Sequence, residues 1–140
     1  MKDWEWVDPE VAEALHDRQL AEHGGPPGVR DRGAFESAMA RPQNLAVYGG
    51  GDGAVFAAAY AFGIARNHPF VDGNKRTAWV VARLFLALNG YSLRFERQDA
   101  IDTVLALAAG QLAEEGLASW FRTRMDDQTT TSSSSEPPSS

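Results

Sequence analysis

The apolar residues of this chain recur mostly at intervals of three and four positions, which is the spacing of one face of an α-helix rather than of a β-strand. This pattern predicts an all-α fold, a compact bundle of about six helices. Asp8 followed by Pro9 indicates the start of the first helix, which we expect to reach about Leu20. The other predicted helices cover 33–40, a run that begins near Ala54, the run Ala78–Leu88, 99–107 and 112–124.

Each predicted helix has an apolar face, and the residues on that face are expected to point into the core. In chain order, the expected inward-facing residues are Val11 and Leu15; Val55, Ala58, Ala59, Phe62 and Ala65; Ile101, Val104, Leu105 and Ala108; and Leu117, Trp120 and Phe121. The many alanines in the run that begins near Ala54 favour close contact between helices. We therefore expect tight packing around that run.

Other stretches do not fit the helical spacing. A proline disfavours helical backbone in the residue before it, so the second helix is expected to end before Pro42. After it, Leu45–Tyr48 and the glycine-rich run 49–53 can form a strand with a flexible turn, a short flap segment. Tyr91–Phe95 is expected to be a short extended link. Residues 126–140 are rich in Ser, Thr and Pro, which predicts a disordered tail behind a single domain of residues 1–125.

The composition excludes several classes of protein. The chain has no cysteine, which excludes disulfide scaffolds, thiolate metal sites and cysteine nucleophiles. Its net charge of −6 argues against bulk binding of nucleic acid, although Lys75, Arg76 and Arg83 can still form a local cationic pocket. It has no apolar signal run and no apolar stretch long enough for a bilayer. We expect a soluble, cytoplasmic protein without direct contacts to membrane or nucleic acid.

The ten residues from His68 to Thr77 carry most of the chemical information in the chain. They contain a histidine, a carboxylate, a glycine, an amide and two cations, and the helical run Ala78–Leu88 follows at once. They therefore form a loop that leads into a helix N-terminus, where free backbone N–H groups and the helix dipole bind anions. A base, a carboxylate and an anion site side by side indicate phosphate chemistry on a hydroxyl.

Two residues of this loop have both a chemical and a purely structural interpretation. His68 can serve as an acid or base at cellular pH, or it can be a solvent-facing or capping histidine. We expect Pro69 to impose extended backbone on His68 and so to end the preceding helix. Asp72 can cap the central helix, and it can also hold Mg²⁺, which typically takes one or two protein carboxylates together with waters and phosphate oxygens.

The residues after Asp72 offer donors for an anion. Gly73 allows a phosphate to approach the backbone, or it simply forms a tight turn. Asn74 adds an amide, Lys75 a point charge and Arg76 a planar fork for phosphate oxygens. Two cations at a helix N-terminus oppose the helix dipole, and a bound anion would compensate for this, the alternative being a solvated charged turn. The order of these residues does not match a P-loop, and three scattered histidines do not make a zinc site.

Residues 68–77 resemble the core motif of the Fic/Doc family, and specifically of its death-on-curing (Doc) branch. The resemblance covers roughly residues 8–124, and the further blocks that carry it are His16–Leu20, Gly24–Asp31, Glu36–Gln43 and Leu88–Tyr91. It implies a compact helical fold whose central helix is opened by the motif loop. Members of the family modify protein hydroxyls. Most Fic enzymes transfer a nucleotide monophosphate, whereas Doc-type toxins transfer the γ-phosphate of ATP to a threonine of elongation factor Tu and halt translation.

The same resemblance implies a role for each motif residue. His68 would deprotonate the target hydroxyl, and Asp72 would hold Mg²⁺ on the nucleotide. The residues that would contact the phosphates of ATP are Gly73, Asn74, Lys75 and Arg76. The flap that would align the target backbone by strand addition contains Leu45, Ala46, Val47 and Tyr48.

Two positions favour the kinase branch within this resemblance. Nucleotide-transferring members usually have glycine where this chain has Lys75, and arginine where it has Trp79. Lys75 would occupy the pocket for the distal phosphates, so that the nucleotide binds reversed with its γ-phosphate at His68. Gly73 argues against the kinase branch, because the resemblance implies alanine at this position in the founding Doc toxin. Arg83 can partly replace the missing arginine.

The resemblance also implies a protein partner. The chain lacks the inhibitory helix motif of some family members, so the expected regulator is a separate Phd-like antitoxin whose disordered segment folds on the toxin. Two other functions stay open: a Fic-type nucleotidyl transferase that AMPylates a protein hydroxyl, and a non-catalytic binding module that retains the fold.

Overall fold

The computed structural model of the protein describes residues 3–127. Across that range the chain forms six α-helices and one two-stranded antiparallel ribbon, so the predicted all-α bundle is confirmed. The elements are, in chain order, α1 (Pro9–His23), α2 (Arg32–Tyr48), α3 (Gly53–Asn67), α4 (Asn74–Leu88), β1 (Tyr91–Leu93), α5 (Arg97–Ala108), α6 (Glu114–Arg122) and β2 (Met125–Asp127).

Helix α3 is the centre of the fold and packs against α2, α4, α5 and α6. Its alanines are all buried, and helices that are apolar on every side are typically found inside a domain. A Cβ built on Gly63 would lie only 2.9 Å from the Cβ of Ala38, so α2 and α3 approach closely because neither carries a larger side chain there. Although α3 is strongly apolar, no helix in the described part of the chain is both long and apolar enough to cross a membrane.

The segment before α1 closes one end of the core. Trp4 and Trp6 both stack on Phe85 of α4, with ring centroids 5.9 and 5.6 Å apart. The backbone N–H of Val7 donates to the hydroxyl oxygen of Tyr60 at 2.9 Å. Burial raises the pKa of Tyr60 to about 12, so this hydroxyl stays protonated at neutral pH. Aromatic packing and one buried hydrogen bond thus tie the N-terminal segment to α3 and α4.

Helix α1 begins where the sequence predicts. Asp8 is its N-cap, and the Asp8 carboxylate accepts a hydrogen bond from the backbone N–H of Glu10 at 2.8 Å. Pro9 occupies the first helical position, where its missing N–H has no cost. The helix continues to His23, past the predicted end at about Leu20, and stops at a pair of glycines with positive φ.

Two helices are rotated relative to their predicted orientation. On α1 the buried residues are Ala12 and His16, whereas Val11, predicted to face inward, is 43% exposed. On α5 the predicted inward residues Ile101 and Leu105 are 41% and 48% exposed. The spacing rule favours the face with the largest apolar side chains. Here Ala12 and His16 are the buried residues of α1, and Leu15 packs against the core as predicted. The apolar face of α5 borders a surface cleft.

Helix α2 continues through Pro42 to Tyr48, so the predicted helix end and the predicted strand at Leu45–Tyr48 are both wrong. A proline inside a helix removes one backbone hydrogen bond and costs about 3 kcal/mol. Pro42 is buried, as are Ala38 and Met39 one turn before it, and α2 packs against α3 along this stretch. We attribute the continuation to this packing, which offsets the local cost of the proline.

The two strands form a short ribbon near the end of the described residues. They pair antiparallel, with Leu93 opposite Met125. The predicted extended link at 91–95 is therefore confirmed in its first half, whereas the second strand was not predicted and includes 126–127, which were assigned to the tail. Backbone hydrogen bonds pair these strands, and such pairing needs no apolar pattern. Residues 128–140, the rest of the predicted disordered tail, lie outside the described residues.

An ion pair links the start of α3 to α6. The Asp52 carboxylate caps α3 by accepting from the backbone N–H of Val55 at 3.0 Å, and it accepts from Nε and Nη2 of Arg122 at 2.8 and 3.0 Å. The hydrogen bonds from Arg122 are the largest cause that lowers the pKa of the Asp52 carboxyl. Both side chains are about half exposed, so solvent screens the pair.

We expect Asp52→Asn, which keeps a capping side chain, to lower the free energy of unfolding at pH 7 by at most about 1 kcal/mol, the size of an exposed ion pair. Because the folded-state pKa of Asp52 is depressed, its carboxylate stabilises the fold above the ordinary aspartate pKa. That contribution is lost as the pH falls through the folded-state pKa. The difference in free energy of unfolding between wild type and Asp52→Asn, measured with urea, should therefore be smaller in acid than at pH 7.

Asp8→Asn is the matched control, because Asp8 also caps a helix but has no cation within ion-pair distance among residues 3–127. An equal loss of stability for Asp52→Asn at both pH values would contradict the expectation.

Candidate active site

The motif loop joins α3 to α4 and starts at His68. The backbone of His68 has φ 49° and ψ 57°, so it is left-handed rather than extended as predicted. His68 is the one residue other than glycine with a positive φ in the described range. Side chains destabilise this conformation by roughly 1–2 kcal/mol, and residues held in it cluster at functional sites where surrounding contacts enforce it.

The α1–α2 linker, residues 24–31, lies along the motif loop. The backbone N–H of Val71 donates to the carbonyl of Gly28 at 3.1 Å. From the linker, the N–H of Arg30 donates to the carbonyl of Pro69 at 2.7 Å. These bonds hold the loop as a short antiparallel pairing with the linker. The hydrophobic pattern contains no signal for this pairing, because it is made by backbone groups.

The Arg30 side chain adds to this support. Its Nε donates to the carbonyl oxygen of His68 at 2.9 Å, and its Nη2 donates to the carbonyl oxygens of His68 and of Asn67, the latter at 3.0 Å. The guanidinium therefore satisfies the last carbonyl groups of α3, and a cation at a helix C-terminus is also favoured by the helix dipole.

His16 of α1 supports the loop from below. Its ring is buried and stacks on Phe70, with ring centroids 3.8 Å apart and planes inclined by 9°. Its Nε2 lies 2.7 Å from the carbonyl oxygen of Asp72. A carbonyl can only accept, so Nε2 carries the proton and donates this bond. His16 was not predicted to be part of the site, because a histidine on an α-helix gives no distinctive pattern.

The side chain of Asn74 also holds the loop. Its Oδ1 accepts from the backbone N–H of Phe70 and its Nδ2 donates to the carbonyl of Phe70, each at 3.0 Å. Asn74 is buried, and Phe70 is anchored in the core. The prediction that Asn74 contacts phosphate remains untested. Given these bonds, the backbone N–H of Asn74 suits that role better than its amide.

Helix α4 starts without a side-chain cap. Gly73 is the N-cap, with φ 78°, and within the described residues no side chain bonds to the first turn of α4. The alternative in which Asp72 caps this helix is therefore wrong. An uncapped first turn leaves backbone N–H groups for a ligand. The Asp72 carboxylate lies against the linker instead, where a Cβ built on Gly25 would be 2.6 Å from its Oδ2.

A cleft of about 690 Å³ opens between the N-terminal end of α4 and α5. Its lining includes His68, Asp72 and the residues 73–76, so the structure brings the predicted chemical residues together. The exposed apolar side chains of Ile101 and Leu105 form part of the opposite wall. One cleft therefore combines a histidine, a carboxylate, a helix N-terminus and an apolar surface.

The lining of this cleft is locally cationic in a chain with a net charge of −6. Lys75, Arg76 and Arg97 line it, and Asp72 is the one carboxylate in the lining. None of the three cations has an ion-pair partner among residues 3–127. Arg97 was not predicted here. Its position at the first residue of α5, where a cation opposes the helix dipole, is the same signal that marked Lys75 and Arg76.

Trp79 lines the cleft and belongs to an aromatic cluster. Its ring contacts Phe95 and Trp120 edge to face, with centroids 5.1 and 5.9 Å away. The Arg83 guanidinium lies over the rings of Trp79 and Phe95, at 5.7 and 5.1 Å, and does not belong to the cleft lining. The suggestion that Arg83 replaces the missing arginine is therefore not supported, and Arg97 takes its predicted place in the cationic pocket.

The predicted flap is separate from this cleft. Leu45–Tyr48 form the last turn of α2 and do not line the cleft, although Val47 and Tyr48 are 77% and 87% exposed. Their conformation is helical, so strand addition is not prepared in this structure. Their role in binding a target protein stays a prediction.

Comparison with known proteins agrees with this geometry. The model of the Fic/DOC family matches residues 6–86. The chain is 35% identical over 117 residues to "Protein kinase doc" of Escherichia phage P1, which covers 83% of this chain and 92% of that protein. It is 49% identical over 73 residues to "Toxin Doc" of Mycolicibacterium smegmatis, which covers 50% of this chain and 55% of that protein. The chain therefore belongs to the Fic/DOC family, as its motif predicted.

We expect Asn74→Ala to destabilise the protein by about 1–3 kcal/mol, because it leaves the buried N–H and carbonyl of Phe70 without partners. Urea unfolding would measure the loss. Asn44→Ala, on an exposed position of α2, is the matched control and should leave stability unchanged. Wild-type stability combined with weaker nucleotide binding in Asn74→Ala would show instead that the amide serves the ligand.

Proposed function

We propose that this protein is a Doc-like toxin that transfers the γ-phosphate of ATP to a serine or threonine hydroxyl of a protein, with elongation factor Tu as the target, and thereby arrests translation. The observation that carries the proposal is a single cleft that holds His68, Asp72 and the uncapped N-terminus of α4. The similarity to proteins named "Protein kinase doc" and "Toxin Doc" supports it.

In this proposal His68 is the general base. Its side chain is exposed and lines the cleft, so the imidazole can reach a hydroxyl presented from solvent. The target oxygen forms a bond to the γ-phosphorus while the bond from that phosphorus to the β–γ bridging oxygen breaks. The hydroxyl proton passes to the imidazole of His68, and ADP leaves with the bridging oxygen.

Asp72 would hold Mg²⁺. No group of three or more histidine and carboxylate ligands occurs within residues 3–127, so a metal held by Asp72 would share its coordination with nucleotide and water. That donor set suits Mg²⁺, which binds through one or two carboxylates together with phosphate oxygens. The space that Gly25 leaves around the Asp72 carboxylate fits the same role. When bound, the ion neutralises charge on the phosphates during transfer.

The cations and the helix N-terminus would bind the phosphates. Lys75 and Arg76 lie in the first turn of α4, and Arg97 lies at the start of α5. Lys75 is exposed on the cleft, where it can contact the more distant phosphates of a reversed nucleotide. Trp79, held in an aromatic cluster, offers no charged group for the clamp on which nucleotide transfer depends. These two residues favour phosphate transfer over nucleotide transfer.

We further propose that a cognate antitoxin of the Phd type restrains the protein in the cytoplasm, through a disordered segment that folds on binding. The name "Toxin Doc" of the relative from Mycolicibacterium smegmatis supports a toxin–antitoxin pair. The acidic balance of the chain is consistent with leaving contacts to nucleic acid to that partner.

A paired labelling assay tests the reaction. Purified protein, Mg²⁺ and elongation factor Tu, alone and with cell extract, would receive either γ-labelled or α-labelled ATP. We expect label on protein from the γ position only. His68→Ala should lower the rate by roughly 10²-fold or more, the usual contribution of a general base. Arg32→Ala, on the surface and outside the cleft lining, is the control and should retain most activity.

Label from the α position would instead make the protein a nucleotidyl transferase. An absence of transfer in every set, together with a growth phenotype that His68→Ala leaves intact, would favour a non-catalytic binding module.

We expect Gly25→Ala to raise the Mg²⁺ concentration for half-maximal transfer roughly tenfold, because a new methyl group would displace the Asp72 carboxylate. Titration of Mg²⁺ in the transfer assay would measure the shift. Gly24→Ala is the matched control, since Gly24 also has a positive φ but a Cβ built there meets no atom within 4 Å. Equal shifts in both variants would mean that backbone strain, and not the Asp72 carboxylate, is responsible.

A further inference from the structure

The left-handed backbone of His68 needs an explanation beyond the sequence of the loop. Positive φ is uncommon for any residue other than glycine, even though histidine adopts it more often than most, and the proline that follows His68 favours extended backbone instead. The conformation turns the chain from α3 into the motif loop at the one residue whose side chain would act as base. Contacts from elsewhere in the chain must therefore outweigh the local preference.

Arg30 makes the contacts that do so. Its guanidinium donates to the carbonyl oxygens of both Asn67 and His68, and its own backbone N–H donates to the carbonyl of Pro69 at 2.7 Å. Three consecutive carbonyl groups around His68 are thus bound by one residue. The N–H of His68 is held separately, by the carbonyl of Ile64 at 3.2 Å. Rotation of the backbone at His68 would break the bonds from the Arg30 side chain.

The planar shape of the guanidinium matters for this arrangement. Two neighbouring carbonyl groups at a helix end diverge, and a fork with several fixed donors can reach both, whereas a lysine ammonium is a single point of charge. Arg32, two residues further along, pairs with Glu13 on the surface and has no such contact with the loop. Within this segment the bond to the His68 carbonyl is therefore specific to Arg30.

We propose that Arg30 is a positioning residue for catalysis, which holds His68 in the left-handed conformation that places its imidazole in the cleft. This inference rests on the proposed role of His68 as a base. Arg30 itself does not line the cleft, so it acts through the peptide of His68 and not on the substrate.

The kinetic test compares Arg30→Ala with Arg30→Lys and with Arg32→Ala as the charge-matched control. We expect Arg30→Ala to lower kcat about tenfold or more with KM for ATP within twofold, because a base displaced by about 1 Å loses rate without loss of substrate binding. Arg30→Lys keeps the charge but not the fork, and should recover only part of kcat. Arg32→Ala should match wild type.

A second readout does not depend on activity. Two-dimensional NMR spectra of protein labelled with ¹³C and ¹⁵N in histidine would report the ring and backbone signals of His68. In Arg30→Ala we expect these signals to shift and broaden, whereas in Arg32→Ala they should stay unchanged. If the wild type proves inactive, the proposed reaction fails, yet the spectra still decide whether Arg30 fixes the conformation of His68.

Two outcomes would overturn the inference. One is an unchanged kcat together with unchanged His68 signals in Arg30→Ala. The other is a fall in kcat that matches the unfolded fraction found by thermal unfolding and that Arg30→Lys restores completely. That result would reduce Arg30 to an ordinary cation at the end of α3.

Discussion

The close approach of helices around α3 is the constraint on which the rest of the structure depends. The helix consists largely of alanine and glycine, and at Gly63 there is no room for a methyl group against Ala38. Small side chains bring the neighbouring backbones near enough for α2 to continue through Pro42. Because α3 is fixed on its sides by other helices, its C-terminal end, and with it His68, has a defined position. The close packing of α3 in the core therefore fixes the position of His68.

From that fixed point the site is assembled by residues far apart in sequence. The linker binds the motif loop through backbone hydrogen bonds, His16 stacks beneath Phe70, and Asn74 brackets the same residue from α4. These contacts give hydrogen-bond partners to polar groups that would otherwise be buried without them. They therefore select one conformation of the loop as well as stabilise it. Among the described residues, the groups that face the cleft without a bond are the first N–H groups of α4 and the cations Lys75, Arg76 and Arg97. The bonds that hold the motif loop are therefore made by other groups than those that face the cleft.

Local signals in the sequence were sufficient for much of this. Helical spacing, the Asp8 cap and the motif at His68 predicted the helix number, the first helix start and the residues that meet in the cleft. What failed had a physical reason in each case. Packing on α3 outweighs the helix-breaking tendency of Pro42, and the apolar face of α5 borders a cleft rather than the core. The supporting roles of His16 and Arg30 arise from contacts to backbone carbonyls, which no pattern of side-chain types records.

The pairing of the linker with the motif loop has a consequence for what counts as a functional unit in this chain. All ten motif residues lie in or beside α3 and α4, yet most of the groups that hold the loop in shape come from residues 16–31. A fragment that starts at α3 would therefore carry the complete motif and lack its scaffold. The sequence motif at 68–77 and the folded site, which includes the residues that support the motif loop, are therefore not the same set of residues. Only the second includes the N-terminal quarter of the protein, in which no residue belongs to the motif.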